Sequence, residues 1–115
     1  MARMIIGAAA GTLILVLWAV KSAAPQVDGA ATYKQSCRTC HGVTGVPPQR
    51  ALDQYKNIAT FADPGFFAGR SDDSLVAVIT KGIGKDMKPF KEKLTNGEIV
   101  AVAKYIRTLM KPKQP

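Results

Sequence analysis

The sequence predicts an all-α domain, and three observations carry that prediction. Ile99, Val102, Ala103, Ile106 and Met110 recur at helical spacing behind a capping box that Thr95 and Glu98 form. Ser71, followed by Asp72 and Asp73, opens a second helix in the same manner, and Gly82 stops it. Both cysteines and the single histidine of the chain fall within one five-residue string, which leaves no long-range disulfide to staple a different architecture.

The amino-terminal element comes first. Residues 4–20 are uncharged, mostly apolar and free of proline, with Arg3 before them and Lys21 after. A secretory signal has an apolar run of about 7 to 15 residues and a spanning helix needs about 17 to 25, so this segment sits on the boundary. Two details favour a retained apolar helix that anchors the chain. The cleavage site at Ser22, Ala23 and Ala24 is followed by Pro25, and the next one, at Gly29, Ala30 and Ala31, lies too close to Cys37. The expected organisation is a membrane anchor or signal at residues 1–24, a linker at 25–29, a folded domain at 30–111 and a tail at 112–115. Arg3 on the amino-terminal side places that end in the cytoplasm and the domain on the periplasmic or equivalent face. Cleavage would leave the same domain soluble in the periplasm.

A folded part of roughly 85 residues is close to the lower limit for a domain, and such chains recruit disulfides, a metal or a large apolar cofactor. The string Cys37-Arg38-Thr39-Cys40-His41 identifies which. Residues three and four apart share one face of a helical turn, so two thiols and an imidazole project toward a single object. Cys-x-x-Cys-His is the signature of covalent c-type haem attachment, in which the thiols add to two vinyl groups and the imidazole takes one axial position on iron. A thioredoxin-like redox pair needs a strand before the motif and a helix after it, and neither pattern is present. A structural zinc site needs four ligands, and no further histidine or cysteine exists.

Between His41 and Ser71 the chain is rich in turn residues (Gly42, Gly45, Pro47, Pro48, Asp63, Pro64, Gly65, Gly69), which predicts loops with one short helix at residues 51–56. Helix 71–82 and the helix behind Thr95 follow, and Pro112 is the expected stop of the latter.

With these residues in view, residues 29–109 resemble the small monohaem cytochrome c family. The resemblance implies three to four helices around one covalently bound haem c, held by Cys37, Cys40 and His41. It places Gly29 and Tyr33 on a first helix facing Val102 and Tyr105 on the last, and makes Met87, in a loop flanked by Gly82 and Gly84, the second axial ligand. Lys88 intervenes between Met87 and Pro89, where the family often has proline directly after the methionine. A carbonyl at Pro47 or Pro48 is the expected acceptor of the His41 ring proton. Gln49, Arg50 and Tyr55 are candidates to bind haem propionates.

The formal charge is +8, from 16 Lys and Arg against 8 Asp and Glu. Residues 81–113 concentrate the excess, with nine basic residues against Asp86, Glu92 and Glu98. These lysines are not interleaved with aromatics and lie on no recognition helix, so nucleic acid is not the expected partner. The expected partners are redox proteins with acidic docking surfaces, reached by a free or tethered one-electron carrier or by a fixed subunit of a respiratory or photosynthetic membrane complex. With both axial positions filled the protein is not an enzyme in its own right. A haem enzyme or gas sensor would instead keep one position open.

Overall fold

The computed structural model describes residues 24–111. The anchor or signal expected at residues 1–24 lies, but for Ala24, outside the described residues, as does the tail. Among the described residues, no helix is long and apolar enough to cross a membrane.

Three helices carry the packing. Helix α1 (Gly29–Ser36) starts at Gly29, the last residue assigned to the linker, because the Asp28 carboxylate accepts the Ala30 and Ala31 amides at 2.9 and 3.1 Å. Three helical segments of four to six residues follow: α2 (Arg38–His41), α3 (Gln49–Gln54) and α4 (Pro64–Phe67). Then come α5 (Asp72–Lys81) and α6 (Asn96–Thr108). The short helix expected at 51–56 begins two residues earlier, since the Pro48 carbonyl already accepts the Ala51 and Leu52 amides at 2.8 and 3.2 Å. Helix α4 hides among turn residues, but Asp63 caps it and Pro64 takes the first turn, where a missing amide proton matters least.

The expected start signals of α5 and α6 are present, whereas α6 ends at Thr108, short of the expected stop at Pro112. Ser71 accepts the Ser74 amide, and Gly82 ends α5 at φ 70°. The Thr95 hydroxyl accepts the Glu98 amide at 3.2 Å while the Glu98 carboxylate accepts the Thr95 amide at 2.7 Å. One residue of the stripe departs from expectation: Met110 lies beyond the end of α6 and is 42% exposed.

Helix α6 is the centre of the fold, with α1 crossing it and α5 packed beside it. Ile99, Val102, Ala103 and Ile106 on α6 meet Tyr33, Leu75, Ile79, Phe61 and Phe67 in one core. Ile99 and Val102, each 1% exposed, stabilise the fold by about 1.5 to 3 kcal/mol apiece. On the outside, Arg107 joins α6 to α5 through Asp72 at 2.5 Å and covers the face of Phe67 at 5.2 Å. Among the described residues there is no strand, only an isolated antiparallel bridge between Ile83 and Met87.

Candidate haem-attachment site

Cys37 is a break between helices. Its φ of −121° ends α1, with its amide donating to the Tyr33 carbonyl at 2.9 Å, and its own carbonyl accepts the His41 amide at 3.0 Å to start α2. Cys37, Cys40 and His41 thus occupy one helical turn, as their spacing predicts, and all three are half-buried. Burial, with a smaller contribution from neighbouring Cys40, pushes the free Cys37 thiol up from 9.0 to about 11. Such a thiol stays protonated at neutral pH, the opposite of the activated thiolate a thioredoxin-like pair requires.

The imidazole of His41 has its Nδ1 3.2 Å from the Ala59 carbonyl oxygen. A carbonyl only accepts, so Nδ1 carries the proton and the Nε2 lone pair is left for a metal. Burial holds the His41 pKa below its ordinary value, with the Ala59 hydrogen bond opposing in part, which favours the neutral, ligating form. The Phe61 ring stacks on the imidazole at 4.6 Å between centroids and 23° between planes.

Ala59 replaces the expected acceptor. Neither Pro47 nor Pro48 takes the His41 proton, and the Pro48 carbonyl is already committed to the first turn of α3. Ala59 was not foreseeable from residue type, because a main-chain carbonyl has no side-chain signature. Its approach is fixed by the neighbouring residues: the Gly45 carbonyl accepts the Phe61 and Ala62 amides at 2.8 and 3.3 Å. On the other side of the motif, the buried Tyr33 hydroxyl donates to the Gly42 carbonyl at 2.6 Å, one residue past His41.

Met87 sits where the main chain turns back on itself. Ile83 and Met87 exchange both amide-to-carbonyl hydrogen bonds, at 2.8 and 3.2 Å, and the Phe90 amide is held by the Ile79 carbonyl. Gly82 and Gly84 have φ of 70° and 52°, the region that favours glycine. Met87 is half-buried against the same apolar core as Cys37. Of the propionate candidates, Gln49 is engaged with Asp53 at 2.8 Å, Arg50 is exposed and Tyr55 is half-buried at the end of α3.

The donor set fits a covalently bound haem: two thiols three residues apart, a neutral imidazole with a free Nε2, and a thioether on a separate loop. Half-buried apolar side chains packed on the same core as Cys37 and Met87, among them Ala59, Val76, Phe90 and Leu94, suit a flat apolar group. Two shallow grooves of about 590 and 860 Å³ flank α1, but neither is lined by Cys40, His41 or Met87, so the site is defined by its donors rather than by those grooves.

The model of the family described as cytochrome c oxidase, cbb3-type, subunit III matches residues 24–106. Among solved structures, the chain is similar to the KustC0563 c-type cytochrome, with 38% identity, a TM-score of 0.68, and coverage of 74% of this chain and 100% of that one. It is also similar to a Kustc0563 mutant carrying a tyrosine-to-phenylalanine change, with 36% identity, a TM-score of 0.65, and coverage of 72% and 99%. No curated protein matches the chain. Helical architecture, haem-type donors and these likenesses agree: the chain belongs to the cbb3-type cytochrome c oxidase subunit III family, c-type cytochromes that bind haem c covalently and carry electrons.

Proposed function

We propose that Cys37 and Cys40 tether one haem c, that His41 and Met87 are its two axial ligands, and that the chain passes single electrons between redox partners at an extracytoplasmic membrane face. The observation that carries this reading is the free Nε2 of His41, turned out by the Nδ1 bond to Ala59 on the same helical turn as both thiols. Bound haem c supplies a one-electron iron couple. The residues do the rest. Two axial side chains leave no position for oxygen or substrate, the Met87 thioether favours the reduced state, and the apolar surroundings penalise the extra charge of the oxidised one. A positive midpoint potential follows, and Arg50 and Tyr55 are the side chains proposed to meet the propionates.

The family description supports a more specific reading, a fixed subunit of a membrane-bound terminal oxidase held by residues 4–20. Lys81, Lys85, Lys88, Lys91 and Lys93 are all exposed and supply the positive face for an acidic partner.

The test is optical. Full-length protein from cells competent in haem attachment should keep its pigment through acidified acetone and show a weak near-infrared sulfur-to-iron band when oxidised. Pigment lost to the solvent would end the proposal. Met87→Ala should abolish the near-infrared band, and a spectrum unchanged by that substitution would favour a haem enzyme or gas sensor with an open position. Extraction in gentle detergent followed by sizing separates a fixed subunit, which co-migrates with a large complex, from a free tethered carrier.

A further inference from the structure

We propose that Phe61 is a positioning residue for His41: its ring, stacked on the imidazole, sets the rotation at which Nε2 is presented to iron. The proposal rests on ligation by His41 as read above and deepens it.

The Nδ1 bond to Ala59 fixes one corner of the imidazole but leaves the ring free to swing about that contact. A flat face at 4.6 Å and 23° blocks the swing toward that side, because tilting the imidazole that way would drive its edge into Phe61. Phe61 itself cannot follow. It is 7% exposed, its amide is held by the Gly45 carbonyl at 2.8 Å, and other rings brace it. Phe66 meets it at 5.3 Å and 60°, and Tyr33 at 6.3 Å and 63°. Ala59 and Phe61 are two residues apart, so both constraints on the imidazole come from one segment. That segment is pinned to Gly45, in the loop that leaves His41. Imidazole position is therefore set by main-chain hydrogen bonds and one aromatic face, with no charged side chain involved.

An alternative role for Phe61 is bulk in the core, and Phe67 provides the comparison. Phe67 is also 7% exposed and packs at 6.4 Å from Phe61, yet the ring stacked on His41 is that of Phe61. Loss of either side chain should loosen the core, whereas only loss of Phe61 should release the imidazole.

The experiment uses the full haem-loaded chain. In the reduced, diamagnetic protein, nuclear Overhauser contacts between the His41 and Phe61 ring protons are expected, and their absence overturns the proposal without any variant being needed. In Phe61→Leu, exchange of the His41 Nδ1 proton should accelerate about three- to tenfold, the range one stacked aromatic contact confers. The pattern of haem-methyl shifts in the oxidised protein, which reports the plane of the axial imidazole, should change with it. Phe61→Tyr should restore both signals and Phe67→Leu should leave both in place. Equal movement in Phe67→Leu, or none in Phe61→Leu, would reduce Phe61 to core packing. If Phe61→Leu fails to accumulate, the wild-type contacts and Phe61→Tyr decide. Pigment retained through acidified acetone with no ring contact rejects this proposal alone, while pigment lost from the wild type rejects the haem reading itself.

Discussion

Gly29 lies so close to the Ala101 carbonyl that α1 and α6 cross with no side chain between them. A β-carbon at Gly29 would stand 2.7 Å from the Ala101 carbonyl carbon and 3.1 Å from the Tyr105 β-carbon. The obstruction is main chain and cannot rotate away. Alanine would gain at most about 1 kcal/mol of helix propensity there, against about 1 to 3 kcal/mol for forcing the helices apart. Gly29→Ala should therefore lower the thermal midpoint of the haem-loaded protein by several degrees, roughly 5 to 10 °C by circular dichroism. An unchanged midpoint would show that the crossing tolerates more room than its geometry allows.

Tyr33 donates to Gly42 from a nearly dry position, 2% exposed. Tyr33→Phe should cost about 1 kcal/mol in urea denaturation at neutral pH, the value of one buried hydrogen bond. A loss near zero would mean that the Gly45 amide, 3.4 Å from the same carbonyl, already satisfies it.

The same hydroxyl gives the fold an alkaline limit. Burial first, with neighbouring Tyr105 and, in the haem-free chain, the Cys37 thiol adding to it, raises its pKa above the ordinary 10.0. The folded state holds the proton that the unfolded state releases, so this contribution is complete below pH 10.0 and is lost as pH rises beyond it. Denaturation midpoints measured upward from about pH 8 should fall above about pH 10, and Tyr33→Phe should flatten the decline. Equal slopes in the two proteins would remove Tyr33 as the cause.

Gly82 and Gly84 separate two kinds of strain in the Met87 loop. A β-carbon at Gly82 would meet Pro89 N at 2.7 Å and Lys88 C at 2.8 Å, whereas at Gly84 nothing lies within 4 Å. Gly84→Ala should cost only the price of positive φ, about 1 to 2 kcal/mol. Gly82→Ala adds the collision and should also displace Met87, weakening the near-infrared band of the oxidised protein. The idea fails if the two variants have the same spectrum and the same stability.

The lysines around Met87 make a kinetic prediction. Between about 0.01 and about 0.15 M salt the screening length shrinks from roughly 30 to roughly 8 Å, so electron transfer with an acidic partner should slow across that range. Lys85→Glu with Lys88→Glu should slow it further at low salt and flatten the dependence. A wild-type rate indifferent to salt would rule out electrostatic steering.

Much of this was legible from local chemistry. The cap and stripe of α6, the Ser71 start of α5 and the Cys37 to His41 turn are all encoded by residues within a few positions of one another. What escaped was long-range or main-chain. His41 and Ala59 are eighteen residues apart, and their contact depends on a loop course that no residue type announces. Pro48 looked equivalent as an acceptor until α3 claimed its carbonyl. Tyr105 faces Gly29 and Tyr33 as expected, but Ala101, which comes closer to Gly29, is a small residue whose importance lies in the oxygen it presents. Met110 continued the apolar spacing although α6 had already ended at Thr108.

The meeting of α1 with α6 has a further consequence for the order of events in the cell. A chain made from its amino terminus presents α1 and both thiols long before α6 has been synthesised. Until that last helix arrives, α1 has nothing to cross. Closure of the domain therefore waits for α6.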